Sequence, residues 1–583
     1  MKERLLFSGP RIITTFLLLG ALSILAACSG DLDLLGPDTI LFNGKIVTVD
    51  DDFSIAQAVA IKNGRFLAVG SDAEMRNLAG GQTEMVDLEG QTVLPGFNDP
   101  HLHFAHSLGF VADDLTQKFR ASRSIGEILD AVQEKIDRTP AGEMVWFFLG
   151  PGSADALEEG RFPSRQDLDP LSPDHPVFLE YGGRGAFASA NSLALKMAGI
   201  TRRTPQPSTQ GLLGEIVTDA SGEPTGVFLG RAAAALAHSV LVQHSVETLT
   251  QTIQHASDTV LPFGITTIGD PNTNMSNLKD NLNWVRAYQR LSSRGELRVR
   301  VNAIMRLPIL YRPTDPILEW VDNLLYDSSF GNETLHLGQI KISIYDSDGD
   351  FKLPREDVKR VIKAVHRSGR PLYIHVGAGE SYDVAIEGLE EAYQEFPRDD
   401  ARHVITHARF PTDHTLEVLS RYNIIVEPQS GRIWRMSDDH EEQIRDPDRP
   451  AYGPTPLRTY LDHGVVVMTG SDSGRRPTGV PMFTIFESVN RVRQSGKVIN
   501  PEERITVEEA IRAVTLTPAY STFEENLKGS IEPGKLADLV VLGRDPLTIP
   551  TMELKDVPVM RTMVGGEFLY INPNPDPHQA VDF

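Results

Sequence analysis

Two histidines one residue apart, His101 and His103, close the segment Pro95-Gly96-Phe97-Asn98-Asp99-Pro100-His101-Leu102-His103. In an extended strand, residues two apart point to the same side, so both imidazoles can face one ion. Neutral imidazole is a good ligand for zinc and similar divalent metals. His106 is a further candidate donor nearby. Later in the chain, polar residues stand at or near the ends of short apolar runs. Lys341 follows Gly338-Gln339-Ile340, His375 ends Leu372-Tyr373-Ile374, His407 ends His403-Val404-Ile405-Thr406, and Asp472 follows Val467-Met468-Thr469-Gly470-Ser471. Singly, each has an ordinary reading: a satisfied core histidine, a snorkelling lysine, a helix cap. Lys and Asp on apolar strands nevertheless require partners, and the ordered set of His-x-His, Lys, His, His and Asp points to one metal-dependent site.

Such residues converge only if strands carry them to a common face. Helical stretches at Ser124 to Asp137, Leu278 to Arg290, Arg355 to His366 and Val507 to Thr515 alternate with short apolar strands. The strands run Val177 to Leu179, Gly264 to Ile268, Val299 to Ile304, Gln339 to Ile344, Leu372 to Val376, His403 to His407, Ile424 to Val426 and Val465 to Gly470. This alternation predicts an α/β fold with a parallel sheet, and about eight repeats favour a distorted (β/α)8 TIM barrel with active-site residues at the strand ends. Both termini instead alternate like half-buried strands, with Asn43-Gly44 and Asn63-Gly64 read as tight turns. Strand edges must be paired or covered, so the two terminal regions are expected to complete one small discontinuous β-sandwich. The expected organisation is a sandwich from 39–95 and 529–575, and a barrel over 96–528 with an inserted subdomain within about 105–260.

The chain of 583 residues is 40% hydrophobic and 23% charged, with a formal net charge of -23. That composition is globular rather than disordered, and an acidic surface argues against a nucleic-acid partner. Lys2, Arg4 and Arg11 precede an apolar run ending in Leu25-Ala26-Ala27-Cys28, the pattern of an export signal. The run is shorter than the roughly 18 apolar residues of a spanning helix. The segment resembles a bacterial lipoprotein signal, which implies cleavage of residues 1–27, lipidation of Cys28, a tether over 28–38 and a place on the cell envelope, periplasmic if Gram-negative. Cys28 is the single cysteine, so thiol catalysis is excluded downstream.

Pro95 to His103, Ile374-His375, Thr406-His407 and Gly470-Ser471-Asp472-Ser473 resemble the metal motifs of the amidohydrolase superfamily, nearest to its family 3, or YtcJ-like, branch. Further matches are Phe42 to Ile46, Gly264 to Thr267, Ile505 to Ala510 and Gly529 to Leu542. The resemblance implies one or two divalent ions, zinc being the usual choice, held by His101, His103, His375 and His407. It also implies a metal-bound hydroxide that attacks a small-molecule substrate at a non-peptide C–N bond of an amide, carbamate or cyclic amide. Asp472 would bind metal and act as general base. Lys341 matches a lysine that in many relatives is carboxylated and bridges two metals; unmodified, it would anchor a substrate anion.

The chain also departs from the pattern. Val376-Gly377-Ala378 stands where relatives often have Gly-Asp, Thr406 replaces a common Glu, and Arg184-Gly185-Ala186 replaces Asp-Gly-His. Specificity is therefore expected to differ from that of relatives, with Arg184, Arg475 and Arg476 as candidates for binding a carboxylate or phosphate. Two other readings stay open at this stage: C–O cleavage of a lactone or ester by the same site, and a non-catalytic binding lipoprotein.

Overall fold

Parallel pairing dominates the centre of the molecule. Strand Phe97–Asp99 pairs with Ile265–Asp270, which pairs with Arg300–Ala303 and through it with Leu335–Leu337. A second parallel series runs from Met305–Arg306 through Ile340–Ser343, Leu372–His375 and Val404–Thr406 to Ile425–Glu427. These are mixed α/β layers in which Ile265–Asp270, Ile340–Ser343, Leu372–His375 and Ile425–Glu427 are buried along their whole length, as strands covered on both faces are. The computed structural model describes residues 36–574 and 576, apart from 105–107, 109–113, 182–186, 208–213, 272–277, 308–313, 324–329, 345–352, 378, 437–453 and 473–479. The expected signal over residues 1–27 with Cys28, and the candidates His106, Arg184, Arg475 and Arg476, lie outside the described residues. Among the described residues, no helix is long and apolar enough to cross a membrane.

Helices cover these strands through amphipathic faces. In Arg355–Arg367, Val358, Val361, Ile362 and Val365 are buried at the i, i+3, i+4, i+7 spacing of one helical face, with acids in the first turn and bases in the last. Each such side chain stabilises the fold by about 1.5–3 kcal/mol when buried. This helix packs on Glu380–Glu395, whose Ala385, Ile386 and Leu389 face the same core.

One expected strand is not formed as such. Residues 465–470 touch the sheet through a single parallel bridge, Val426 with Val467. Their other backbone donors go elsewhere: Thr469 N–H to the Ala513 carbonyl at 3.0 Å and Gly470 N–H to Glu427 Oε1 at 3.2 Å. Past this segment, Asp472 N–H donates to the His101 carbonyl at 2.7 Å, joining two distant segments of the chain.

Strands from the two termini pair with one another. A four-stranded sheet takes Arg65–Gly70, Ala58–Lys62, Thr39–Phe42 and Glu84–Asp87 in that order. A six-stranded sheet takes Glu567–Ile571, Val559–Val564, Leu539–Leu542, Thr92–Pro95, Lys45–Val47 and Ile55–Ala56. Leu41, Ile46, Phe66, Val93, Leu539 and Met563 belong to one apolar cluster shared by both. Asn63-Gly64 forms the expected tight turn, both residues having positive φ, 49° and 73°. Asn43-Gly44 does not join two paired strands: Thr39–Phe42 belongs to one sheet and Lys45–Val47 to the other, so the chain changes sheets there. Arg300 bridges centre and termini, with Nε 2.6 Å from Asp538 Oδ2 and Nη2 2.8 Å from Oδ1, both residues being buried.

The region between residues 114 and 241 has its own five-stranded sheet, ordered Glu215–Thr218, Pro224–Leu229, Phe187–Ala190, Val177–Tyr181, Val145–Gly150, with separate apolar clusters on its faces.

Candidate metal centre

The strand Phe97–Asp99 stops short of the His-x-His pair, which continues along Gly269. A Cβ on Gly269 would lie 2.2 Å from the Pro100 carbonyl oxygen, so only glycine lets the two segments approach this closely. His101 is fully buried and His103 half-buried. Both Nε2 atoms lie 3.2 Å from Asp472 Oδ1. The donor atoms of His101, His103 and Asp472 all lie within 4.8 Å of one another.

His407 and His375 form the adjoining pair. Their Nε2 and Nδ1 atoms are 2.6 Å apart, with ring centroids at 4.2 Å, and the His407 ring centroid lies 5.8 Å from that of His101. Lys341 is buried on its strand; its Nζ donates to His101 Nε2 at 3.0 Å and lies 4.8 Å over the Tyr373 ring. The structure thus gathers every strand-end residue named from the sequence, with His101, His103 and Asp472 as the tight cluster and Lys341, His407 and His375 on its flank.

Three partners that the sequence reading passed over hold the cluster in place. Glu427 is fully buried, and its Oε2 accepts His101 Nδ1–H at 2.8 Å and Gln429 Nε2–H at 2.9 Å. Gln429 Oε1 in turn accepts the His407 Nδ1–H. Both imidazoles are therefore fixed in the tautomer that leaves Nε2 as a lone pair. Asp99 Oδ1 accepts the backbone N–H groups of His101 and Ser471, each at 3.1 Å, tying the segments that carry His101 and Asp472 together. Glu427 was legible in principle: a carboxylate directly following Ile424-Ile425-Val426 has the same misfit as Asp472 after its apolar run. Not every strand-end acid belongs to the cluster, since Asp270 Oδ2 accepts the Tyr288 hydroxyl at 2.5 Å.

The backbone is strained where it presents these groups. His407, Gln429 and Asp472 have φ of 72°, 52° and 62°, the left-handed region that costs a non-glycine residue about 1–3 kcal/mol. Packing around the cluster over-determines these conformations.

Electrostatics favour cation binding. Burial, then the Lys341 charge, holds the His101 imidazole well below its usual range, and burial with Arg432 does so for His407, so both are neutral donors. Burial alone would raise Asp472, but Arg432 and the surrounding imidazoles hold its carboxyl well below the usual range. Burial pushes Asp99 up to about 6 and, aided by Asp472, pushes Glu427 well above the ordinary value. Asp472 Oδ1, aimed between two imidazoles, has no well-aligned hydrogen-bond partner among the described residues. A buried acceptor left open in this way is costly unless something cationic fills the gap. The residues present therefore fit a divalent ion.

Comparison with known proteins agrees with this reading of the residues. The chain is 27% identical over 565 residues to N-substituted formamide deformylase of Arthrobacter pascens, covering 91% of this chain and 98% of that protein. It is 28% identical over 551 residues to the protein YtcJ of Bacillus subtilis, covering 91% of this chain and 99% of that one. In fold it resembles an uncharacterized metal-dependent hydrolase from Pyrococcus horikoshii, with a TM-score of 0.69 at 22% identity over 88% of this chain and 99% of that one. The amidohydrolase family model matches residues 84–570, most of the chain. The chain belongs to the amidohydrolase family.

Proposed function

We propose that this protein is a metal-dependent hydrolase that cleaves a non-peptide C–N bond of a small amide, carbamate or cyclic amide. The observation that carries the reading is the open, buried Asp472 Oδ1 facing the Nε2 atoms of His101 and His103 at 3.2 Å. His101, His103 and Asp472 would hold the ion, flanked by Lys341, His375 and His407. Lys341 would serve either through its ammonium, as an anchor for a substrate anion, or as a carboxylated side chain. Nitrogen and carboxylate donors of this kind suit zinc. When bound, such an ion acidifies water and polarises the scissile carbonyl.

The chain's own groups supply the rest. Asp472 takes a proton from the attacking water and delivers it to the departing nitrogen, the role of a general base that becomes a general acid. Glu427 and Gln429 keep the imidazoles aimed. The same reading takes the parallel strands between 97 and 427, completed by residues 465–470, as a distorted (β/α)8 barrel, and the two terminal sheets as a β-sandwich. The support is that the cluster sits beyond the C-terminal ends of these strands, the active face of such barrels. With the signal ending at Cys28, we place the enzyme on the cell envelope, held by a lipid.

The test compares Asp472→Asn with the native enzyme on an amide and on an activated ester of the same acyl group. An amine must be protonated before it leaves and a good alkoxide need not be, so the amide rate should fall by about 100-fold or more and the ester rate far less. Equal losses would undermine the assignment of Asp472 as the proton donor to a departing nitrogen. A folded preparation that takes up no divalent ion would end the hydrolase reading altogether.

A further inference from the structure

Gln429 serves the cluster from a backbone conformation that glutamine seldom adopts. Its Oε1 accepts the His407 Nδ1–H and its Nε2 donates to Glu427 Oε2 at 2.9 Å, while its φ is 52° and its ψ 72°. Were this backbone to relax to an ordinary region, the side chain would swing off both partners. Such conformations persist only where the surroundings over-determine them. The Gln429 carbonyl accepts Arg432 N–H at 3.1 Å, which closes the short helical turn Ser430–Arg435. The turn must in its own right be held against the rest of the molecule.

The hold comes from the helix Pro481–Asn490, every residue of which is buried. Thr484 and Ser488 stand four apart, on one face of that helix. Ser430 Oγ lies 2.8 Å from Ser488 Oγ and 3.2 Å from the Thr484 carbonyl oxygen, and Ser488 Oγ lies 2.8 Å from the same carbonyl. Two hydroxyls and one carbonyl thus close a triangle among buried residues. Ser488 could satisfy its proton on Thr484 alone, by the usual back-bond of a helical serine. Among the described residues, the Ser430 hydroxyl finds its partners only on that helix, and burying it without them would be costly. Farther along the turn, Trp434 packs edge-on against Phe483 with ring centroids 5.2 Å apart. The aromatic pair anchors the far end, and the serine pair fixes the end that joins Gln429.

Resting on the hydrolase reading above, we infer that Ser430, clamped by Ser488, is a positioning residue for the metal centre. It holds the Gln429 backbone in the conformation from which the amide orients His407 and the Glu427 carboxylate. Alanine would fill nearly the same space without burying a hydroxyl, so space-filling alone does not account for two serines face to face. Ser430 acts through one residue, and its effect vanishes once the amide of that residue is gone.

The experiment is a double-mutant cycle on the full chain, read as zinc affinity by competition with a chromophoric chelator, with circular dichroism as the check on folding. Gln429→Ala should weaken zinc binding by about 10- to 100-fold, as losing a group that orients a ligand does. Ser430→Ala, acting one step further away, should weaken it by about five- to tenfold. In the Gln429→Ala background the same serine change should add less than about twofold, because no amide is left to misplace. A Ser430→Ala protein whose zinc affinity stays within about twofold of native overturns the inference. So does an equal loss in both backgrounds, which would report a general loosening of the turn. Should Ser430→Ala not fold, the cycle with Ser488→Ala decides, since it keeps Ser430 and removes only its partner. A chain that binds zinc without this coupling would lose the inference and keep the hydrolase reading; a chain that binds no zinc would lose both.

Discussion

Replacing Glu427 with glutamine keeps the shape of the side chain and removes its charge, which isolates what the carboxylate does for His101. Three donors converge on it: His101 Nδ1–H at 2.8 Å, Gln429 Nε2–H at 2.9 Å and Gly470 N–H at 3.2 Å. An amide in the same place has one acceptor oxygen and one donor group, so in either orientation its NH2 confronts a donor. A buried donor left unmatched costs about 1–3 kcal/mol, and a cation at His101 favours the ionised acid that glutamine cannot mimic. Loss of such a partner typically weakens metal binding by about 10- to 100-fold. Competition for zinc against a chromophoric chelator near neutral pH measures this directly, with circular dichroism as the check on folding. A folded Glu427→Gln variant whose zinc affinity stays within about twofold of native would refute the argument that the carboxylate sets up the imidazole.

Two further outcomes follow from groups away from the site. Asp538→Asn leaves Arg300 buried with a neutral partner and should lower stability by about 3–5 kcal/mol in chemical denaturation; a loss below about 1 kcal/mol would mean the pair contributes little. His403 and His366 form a relay in which Leu372 N–H donates to His403 Nδ1 at 2.8 Å, His403 Nε2–H to His366 Nδ1 at 2.7 Å, and His366 Nε2–H to the Phe396 carbonyl at 2.7 Å. An added proton has no acceptor there, and burial holds both imidazoles below their usual value. The unfolded chain takes up protons that the folded chain refuses, so stability should be full above about pH 6.5 and fall as pH drops below it. Denaturation midpoints across that range should show a shallower slope in His403→Gln, and an unchanged slope would remove the pair from the explanation.

Much of the site could be read from residue types at odds with their neighbours. His101 and His103 stand out as a His-x-His pair, and Lys341, His375, His407 and Asp472 because each interrupts or ends an apolar run, and burial forces such groups to find one another. Gln429 gives no comparable signal, being neutral and past the end of its strand. Arg432 sits on an irregular turn, 40 residues from the aspartate it meets, and no periodicity links them. Arginines at 184, 475 and 476 were equally plausible as anion binders by type alone. The alternation of strands and helices foretold the parallel pairing because continuous apolar runs need cover on both faces. It did not foretell that residues 465–470 would hand their donors to Ala513 and Glu427, since those partners lie far away in sequence. Nor could an Asn-Gly pair say whether the chain folds back on itself, as at Asn63, or passes into a second sheet, as at Asn43.

The antiparallel pairing of Leu539–Leu542 with Thr92–Pro95 has a bearing on how the molecule must be made. Thr92–Pro95 leads directly into the segment that carries His101 and His103, and its partner strand is synthesised more than four hundred residues later. Contacts of such separation are slow to form and leave the early sheet edge open meanwhile. A chain released or cut before residue 539 would keep every residue of the cluster and lack the strand that pairs with Thr92–Pro95.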